Sequence, residues 1–222
     1  MERLSEFWWQ VVRFGFRLLY NEMAFTYDTV SWVVSLGAWR EWQRTALNHL
    51  PHTENNTVLE LAFGTGNLHQ DLLLDGYRVV GLDLSPHMAR ITSAKLQREQ
   101  LPINLLRGRG EALPFANEAV DAVVCTFPTP FIFEQATLEN LYRVLKPGGR
   151  LVIVLSGMLT GKNPSVAVLE WLYEITGQRG EAATEDVLHA FFAVGFEATA
   201  MQESCEGSVA LLIVADKPLT SD

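Results

Sequence analysis

The sequence predicts an α/β fold: a doubly wound, mostly parallel sheet of seven strands, closed by an antiparallel C-terminal hairpin and preceded by an N-terminal helical cap. Three features of the chain point there. From residue 57 onward, short apolar runs alternate with stretches of helical period, the pattern of βαβ units with helices on both faces of a sheet. The last two apolar runs, 196–202 and 208–215, are joined by so short a turn, holding Gly207, that they must pair antiparallel. Residues 1–50 are different again: they carry five of the six tryptophans, at helical rather than strand spacing.

Within the cap, Leu4, Phe7, Trp8, Val11, Gly15 and Leu18 fall on one face of a first helix, with Arg3, Arg13 and Arg17 between them. A second helix is expected over 28–36 and a third over 39–50, punctuated by Gly37 and Pro51. The domain proper is expected over 51–218, followed by a tail of 219–222. Its strands are read at 57–61, 78–82, 103–107, 119–126, 150–155, 196–202 and 208–215. Its helices are read at 67–74, 86–100, 134–145 and 184–194. Ser85 and Pro86 make a good N-cap and first helical residue for the second of these.

A chain of 222 residues with 48% hydrophobic content suits one compact domain. A net charge of -9 argues against a nucleic-acid partner, which needs a basic face. The two cysteines, Cys125 and Cys205, form no CxxC pair, so no metal centre is expected and both read as thiols in a reducing compartment. No apolar run is long enough to span a bilayer, and the acidic, arginine-interrupted start is unlike a signal peptide. The expectation is a cytoplasmic protein, one that touches membranes peripherally through its first helix.

The strongest local motif is VLELAFGTG at 58–66, an apolar strand running into a glycine turn and then a helix. Gly64 and Gly66 let backbone bend and approach a ligand. The helix start beyond them offers N–H donors to a carboxylate, and Glu60 can accept from an ammonium group. Together they suit the amino-acid end of S-adenosylmethionine. The rival dinucleotide fingerprint needs a third glycine where His69 stands, and Glu60 would repel a pyrophosphate. In VVGLDLSPHM at 79–88, Asp83 ends a strand where a carboxylate can take both ribose hydroxyls, with Leu84 beside it and Met88 a candidate contact for an adenine face. The segments GRGEALPF at 108–115 and LYRVLKPGGR at 141–150 follow, the latter a helix, a stop and a buried strand.

Taken in order, these four segments resemble the class I S-adenosylmethionine-dependent methyltransferase superfamily. The resemblance is strongest to the branch that includes ubiquinone/menaquinone and small-molecule or phospholipid methyltransferases, and it covers roughly residues 57–155. It implies a Rossmann-like fold and S-adenosyl-L-methionine as cofactor, with the first motif holding the methionine moiety, Asp83 the ribose and the segment before LPF the adenine edge. Two positions depart from the family pattern. Ala62 replaces a glycine of the first motif. Arg109 replaces a common aspartate and has no acceptor for the adenine amino group. Adenine would then be read by backbone near Gly110, with Glu111 beside it, and Thr126 at the end of the fourth strand completes the cofactor set.

The activity implied is in-line methyl transfer to a small acceptor; a protein that binds the cofactor without catalysis is the competing reading. No side chain stands out as a base, and Tyr27 and His87 are the candidates. Tyr20, Tyr27, Phe127 and Phe131 are expected to line an apolar acceptor pocket for a lipid, quinone-like or aromatic molecule beneath the cap. The face of the first helix suits packing on the domain as well as contact with lipid. Oligomeric state is left open.

Overall fold

The computed structural model describes residues 27–51, 56–160 and 184–219. The expected first helix and Tyr20 lie outside them. Two helices precede the sheet, α1 (Tyr27–Val34) and α2 (Trp39–Arg44). Then come β1 (Thr57–Leu61), α3 (Asn67–Leu74), β2 (Arg78–Asp83), α4 (Pro86–Arg98), β3 (Leu105–Arg107), β4 (Val120–Thr126), α5 (Gln135–Val144), β5 (Leu145–Leu159), α6 (Thr184–Val194), β6 (Glu197–Cys205) and β7 (Ser208–Asp216). The seven strands form one sheet in the order β3-β2-β1-β4-β5-β7-β6. The first five pair in parallel, and β7 runs antiparallel to both β5 and β6. The α/β class, the parallel body and the antiparallel hairpin are as the sequence predicts. Strand order reverses between β1 and β4, so a crevice opens there beyond their carboxyl ends, Leu61 and Thr126.

Alternation along the strands sends side chains into two layers. Leu59, Leu61, Val123, Cys125, Leu151, Ile153 and Ile213 face one core with Leu138 and Leu141 of α5 and Phe191 of α6. Val58, Val124, Val152, Val154 and Leu212 face the other with Leu68 and Leu72 of α3 and Trp42 of α2. Strands buried on both faces read as continuous apolar runs, which is why they were legible.

Several boundaries differ from the sequence reading. The third helix stops at Arg44 and tightens into a 3-10 turn, Thr45–His49. The third strand is confined to Leu105–Arg107 at the sheet edge, leaving Ile103 46% exposed. The fifth strand is far longer than 150–155. At its start the Pro-Gly-Gly segment is a bulge rather than a stop: Val120 pairs with Leu145 and Ala122 with Arg150. At its end, Ser156 to Leu159 pair with Leu211 to Ser208.

That last extension anchors the N-terminal segment. Trp42 is 1% exposed, and its indole N–H donates to Ser208 Oγ at 3.0 Å. Its ring lies where a Cβ on Gly157 would be, 2.0 Å from the nearest indole carbon. Residues 39–50 therefore share a core with the sheet, through Trp42, Ala46 and Leu50. Before them, Leu36 (φ 51) and Gly37 (φ 91) are both left-handed and separate α1 from α2.

Gly157→Ala is expected to cost about 1–3 kcal/mol in urea unfolding, because the new methyl must displace a packed ring. Trp42→Ala should cost about 3–5 kcal/mol through the cavity it leaves. Combined, the two should cost less than their sum, since the cavity admits the methyl. Strict additivity would show that the pair does not touch in solution.

Candidate functional site

The carboxyl ends of β1 and β2 converge on one carboxylate. Asp83, the last residue of β2, is 9% exposed. One oxygen accepts the Gly64 N–H at 3.0 Å, and the other accepts the Ser85 N–H at 2.7 Å. Asp83 thus ties the first glycine turn to the start of α4, where Ser85 caps the helix by accepting the Met88 N–H at 3.3 Å. With the Leu84 N–H, three backbone donors share its roughly four lone-pair sites, which leaves acceptor capacity for one more donor. Burial pushes its carboxyl above the ordinary aspartate value, and the backbone donors from Ser85, Gly64 and Leu84 pull it back.

The glycine turn divides its labour. Gly64 (φ 53) has nothing within 4 Å of where a Cβ would stand, while its carbonyl accepts from Thr92 Oγ1 at 2.8 Å. Gly66 (φ 75) instead abuts the Thr92 side chain of α4, and a Cβ there would lie 2.4 Å from a Thr92 carbon. The first glycine therefore leaves room for a ligand and the second makes room for a helix. Ala62 sits at φ 58, the region that favours glycine, and its N–H donates to the Leu82 carbonyl at 2.7 Å. The departure from glycine is accommodated at a backbone cost of about 1–2 kcal/mol.

Glu60 is 2% exposed on β1, its Oε2 lying 2.8 Å from His69 Nδ1. Burial pushes its carboxyl up, the contact with His69 pulls it down, and the charges of Asp83 and Asp71 push it up again. Burial likewise pushes the Cys125 thiol far up, so it is no nucleophile at neutral pH. Buried carboxylates at adjacent strand ends make this corner attractive to a cation.

The other sequence-predicted residues fall around this corner. Leu84 is 51% exposed, whereas Met88 is 1% exposed and packs on Phe63. His87 is half-buried on the first turn of α4. Arg109, exposed, and Glu111, half-buried, pair with each other at 3.3 Å. Gly110 between them is buried, and a Cβ there would lie 3.1 Å from the Phe131 ring and 2.9 Å from Thr137. Phe131 accordingly packs with the α5 layer. Phe127 belongs to the opposite layer, tilted over Trp39 at a centroid distance of 3.9 Å. The two phenylalanines are not brought together in one core. Tyr27 opens α1.

Sequence reasoning missed two contributors from the N-terminal helices. Asp28 of α1 accepts from Thr65 Oγ1 at 2.6 Å and from Asn67 Nδ2 at 3.1 Å, beside Lys95 of α4 at 3.7 Å. Gln43 of α2 donates to Thr126 Oγ1 at 3.1 Å. Both are long-range polar contacts that carry no periodic signal.

The model of the ubiE/COQ5 methyltransferase family matches residues 15–194. The chain is 37% identical over 139 residues to a demethylmenaquinone methyltransferase of Thermus thermophilus, a match covering 61% of this chain and 63% of that protein. It is 34% identical over 160 residues to the ubiquinone/menaquinone biosynthesis C-methyltransferase UbiE of Syntrophotalea carbinolica, covering 71% and 67%. Among solved structures, geranyl diphosphate C-methyltransferase of Streptomyces coelicolor, in complex with Mg2+, geranyl diphosphate and S-adenosyl-L-homocysteine, shares the fold. The TM-score is 0.59 at 18% identity, covering 79% of this chain and 78% of that one.

The buried charge on Glu60 sets a stability signature. Its carboxyl titrates higher in the folded chain than in the unfolded one. The folded state therefore holds that proton more tightly, and stability is lost as pH rises from the unfolded value through the folded one. Glu60→Gln keeps an acceptor for His69 and removes this loss. In thermal melts without ligand, its advantage over wild type should be small near about pH 4.5 and grow toward about pH 8. An advantage that shrinks with rising pH would reverse the sign assigned to this group.

Proposed function

Since the chain belongs to the ubiE/COQ5 methyltransferase family, we propose that it transfers a methyl group from S-adenosyl-L-methionine to a small, apolar, quinone-like acceptor. The observation that carries the reading is the polar corner at the β1 and β2 ends: Gly64 with open space before it, Glu60 behind it and Asp83 bonded across to it. These residues fit the cofactor by their chemistry. Asp83 keeps acceptor capacity for a ribose hydroxyl, and Glu60 offers negative charge to an ammonium. Glu60, next to the glycine turn, opposes a pyrophosphate there. When bound, the cofactor supplies a methyl group already activated as a sulfonium. The chain's own task is then to orient the acceptor and exclude water.

The acceptor side of the reading rests on the end of β4. Trp39 and Phe127 form an aromatic wall there, next to the Gln43–Thr126 hydrogen bond. The cap enters as a cover: α1 is pinned through Asp28 to the first turn, close to the open space before Gly64. Tyr20 and the first helix are assigned to the same cover from sequence alone, and the role of Tyr27 or His87 as base is left with the sequence reading. No described helix is long and apolar enough to cross a membrane. Trp32, Val33 and Leu36 are 64%, 51% and 50% exposed on and just after α1, which supports peripheral contact with lipid.

Tritiated methyl transfer from the cofactor to a reduced, demethylated naphthoquinone with a short prenyl tail tests the activity. Wild type is expected to label the quinol. Asp83→Ala should weaken S-adenosylhomocysteine binding in calorimetry by roughly 1–3 kcal/mol through loss of charged acceptor bonds. Tight binding without labelling of any apolar phenol or quinol would favour a non-catalytic binding protein. For the lipid contact, wild type should co-sediment with phosphatidylcholine vesicles and Trp32→Ala should do so less; equal recovery of the two would remove α1 from the membrane surface.

A further inference from the structure

One buried side chain has no part in the reading so far. His69, on the first turn of α3, is 0% exposed. Its Nδ1 lies 2.8 Å from Glu60 Oε2, and its Nε2 is buried with no hydrogen-bond partner among the described residues. The ring is held in a slot. Phe63 meets it edge-on at 6.2 Å between centroids, and a Cβ on Gly81 of β2 would stand 3.1 Å from His69 Cε1. The same Cβ would meet Phe63 at 2.7 Å and Leu105 at 2.8 Å, so Gly81 makes room first for those two side chains and then for the imidazole beside them.

The orphaned Nε2 selects a tautomer. With the proton on Nδ1, the ring donates to Glu60 and leaves only a lone pair unpaired. With the proton on Nε2, it would bury an N–H with no acceptor and turn a lone pair toward the carboxylate, two unfavourable changes at once. The Nδ1–H form is thus the one that this slot holds, and it favours an ionised Glu60.

We propose that His69 is a positioning residue for the cofactor: its Nδ1–H keeps Glu60 ionised and fixed in orientation, so that affinity for the ammonium end of the ligand depends on pH through this pair. The proposal rests on the reading of the corner as an S-adenosylmethionine site. The surroundings leave the task to His69. Asp83 at the end of β2 and Asp71 on α3 both oppose charge on Glu60. Asp71 is itself bonded to Arg40 of α2 at 2.8 Å, which spends that arginine's charge elsewhere. Cys125 of β4 stays a neutral thiol. Among these groups the imidazole is the one that lowers the Glu60 carboxyl, through its hydrogen bond.

Calorimetry with S-adenosylhomocysteine from about pH 5.5 to 8.5 tests this on the full chain. Wild-type affinity should fall as pH drops, because protonating Glu60 cancels the charge that faces the ammonium. His69→Gln carries its amide nitrogen to the Nε2 end of the slot and leaves Glu60 without its donor. Its acid limb should move to higher pH, with affinity about tenfold weaker than wild type on that limb, for a shift of one unit, and close to wild type at the alkaline end. His69→Asn places an amide N–H near the former Nδ1 and should restore most of the wild-type profile. A His69→Gln curve parallel to wild type at every pH, or no rescue by His69→Asn, would overturn the proposal and leave His69 as packing. Should His69→Gln fail to fold, Glu60→Gln decides: it should bind weakly with a flat pH profile, and a wild-type slope would count against the pair. Absence of wild-type binding at every pH would instead remove the cofactor reading beneath it.

Discussion

The hydrogen bonds from the Gly64 and Ser85 amides to Asp83 are the contacts on which the arrangement at the crevice depends. They close two neighbouring loops onto one another at the point where strand order reverses. A single carboxylate satisfies one backbone donor in the left-handed glycine turn and those of Leu84 and Ser85 at the start of α4, and it can still accept one more. Neither loop could hold its shape with those donors buried and unpaired. The open space before Gly64, the capping of α4 by Ser85 and the burial of Met88 against Phe63 are consistent with that closure.

The same corner concentrates cost. Two carboxylates, Glu60 and Asp83, are buried near each other with their acidities pushed in the unfavourable direction by desolvation. Ala62 adds backbone strain between them. A fold selected for stability alone would neutralise these positions. Retaining negative charge where water is scarce is intelligible if a cation completes the site, since buried charges are otherwise paired or lost.

What the sequence revealed, and what it did not, divides along the range of the interaction. The strands of the parallel body were legible because burial on both faces makes unbroken apolar runs, and the glycine turn was legible because left-handed backbone demands glycine at fixed spacing. The doubled length of β5 was not, because Ser156-Gly157 resembles a turn until its antiparallel partner and Trp42 are known. The different surroundings of Gly64 and Gly66 were equally hidden, since only the position of Thr92 tells a glycine that faces open space from one that packs on a helix. Asp28 and Gln43 reach the site from helices that sequence alone marked as apolar cover. His69 reads from sequence as a structural residue of the first helix turn standing where a dinucleotide site has glycine; its pairing with Glu60, a contact across nine positions, carried no signal.

The seating of Trp42 on Gly157 bears on how such chains can be recombined. The indole and the glycine lie more than a hundred positions apart, yet a change at either is felt by the other. A chimera joined at residue 50 would hand the sheet a foreign side chain at its most tightly filled point. The left-handed joint at Leu36 and Gly37 is the better seam: a join there keeps Trp42 with the sheet that seats it, and a foreign α1 would still have to offer Thr65 and Asn67 the acceptor that Asp28 supplies.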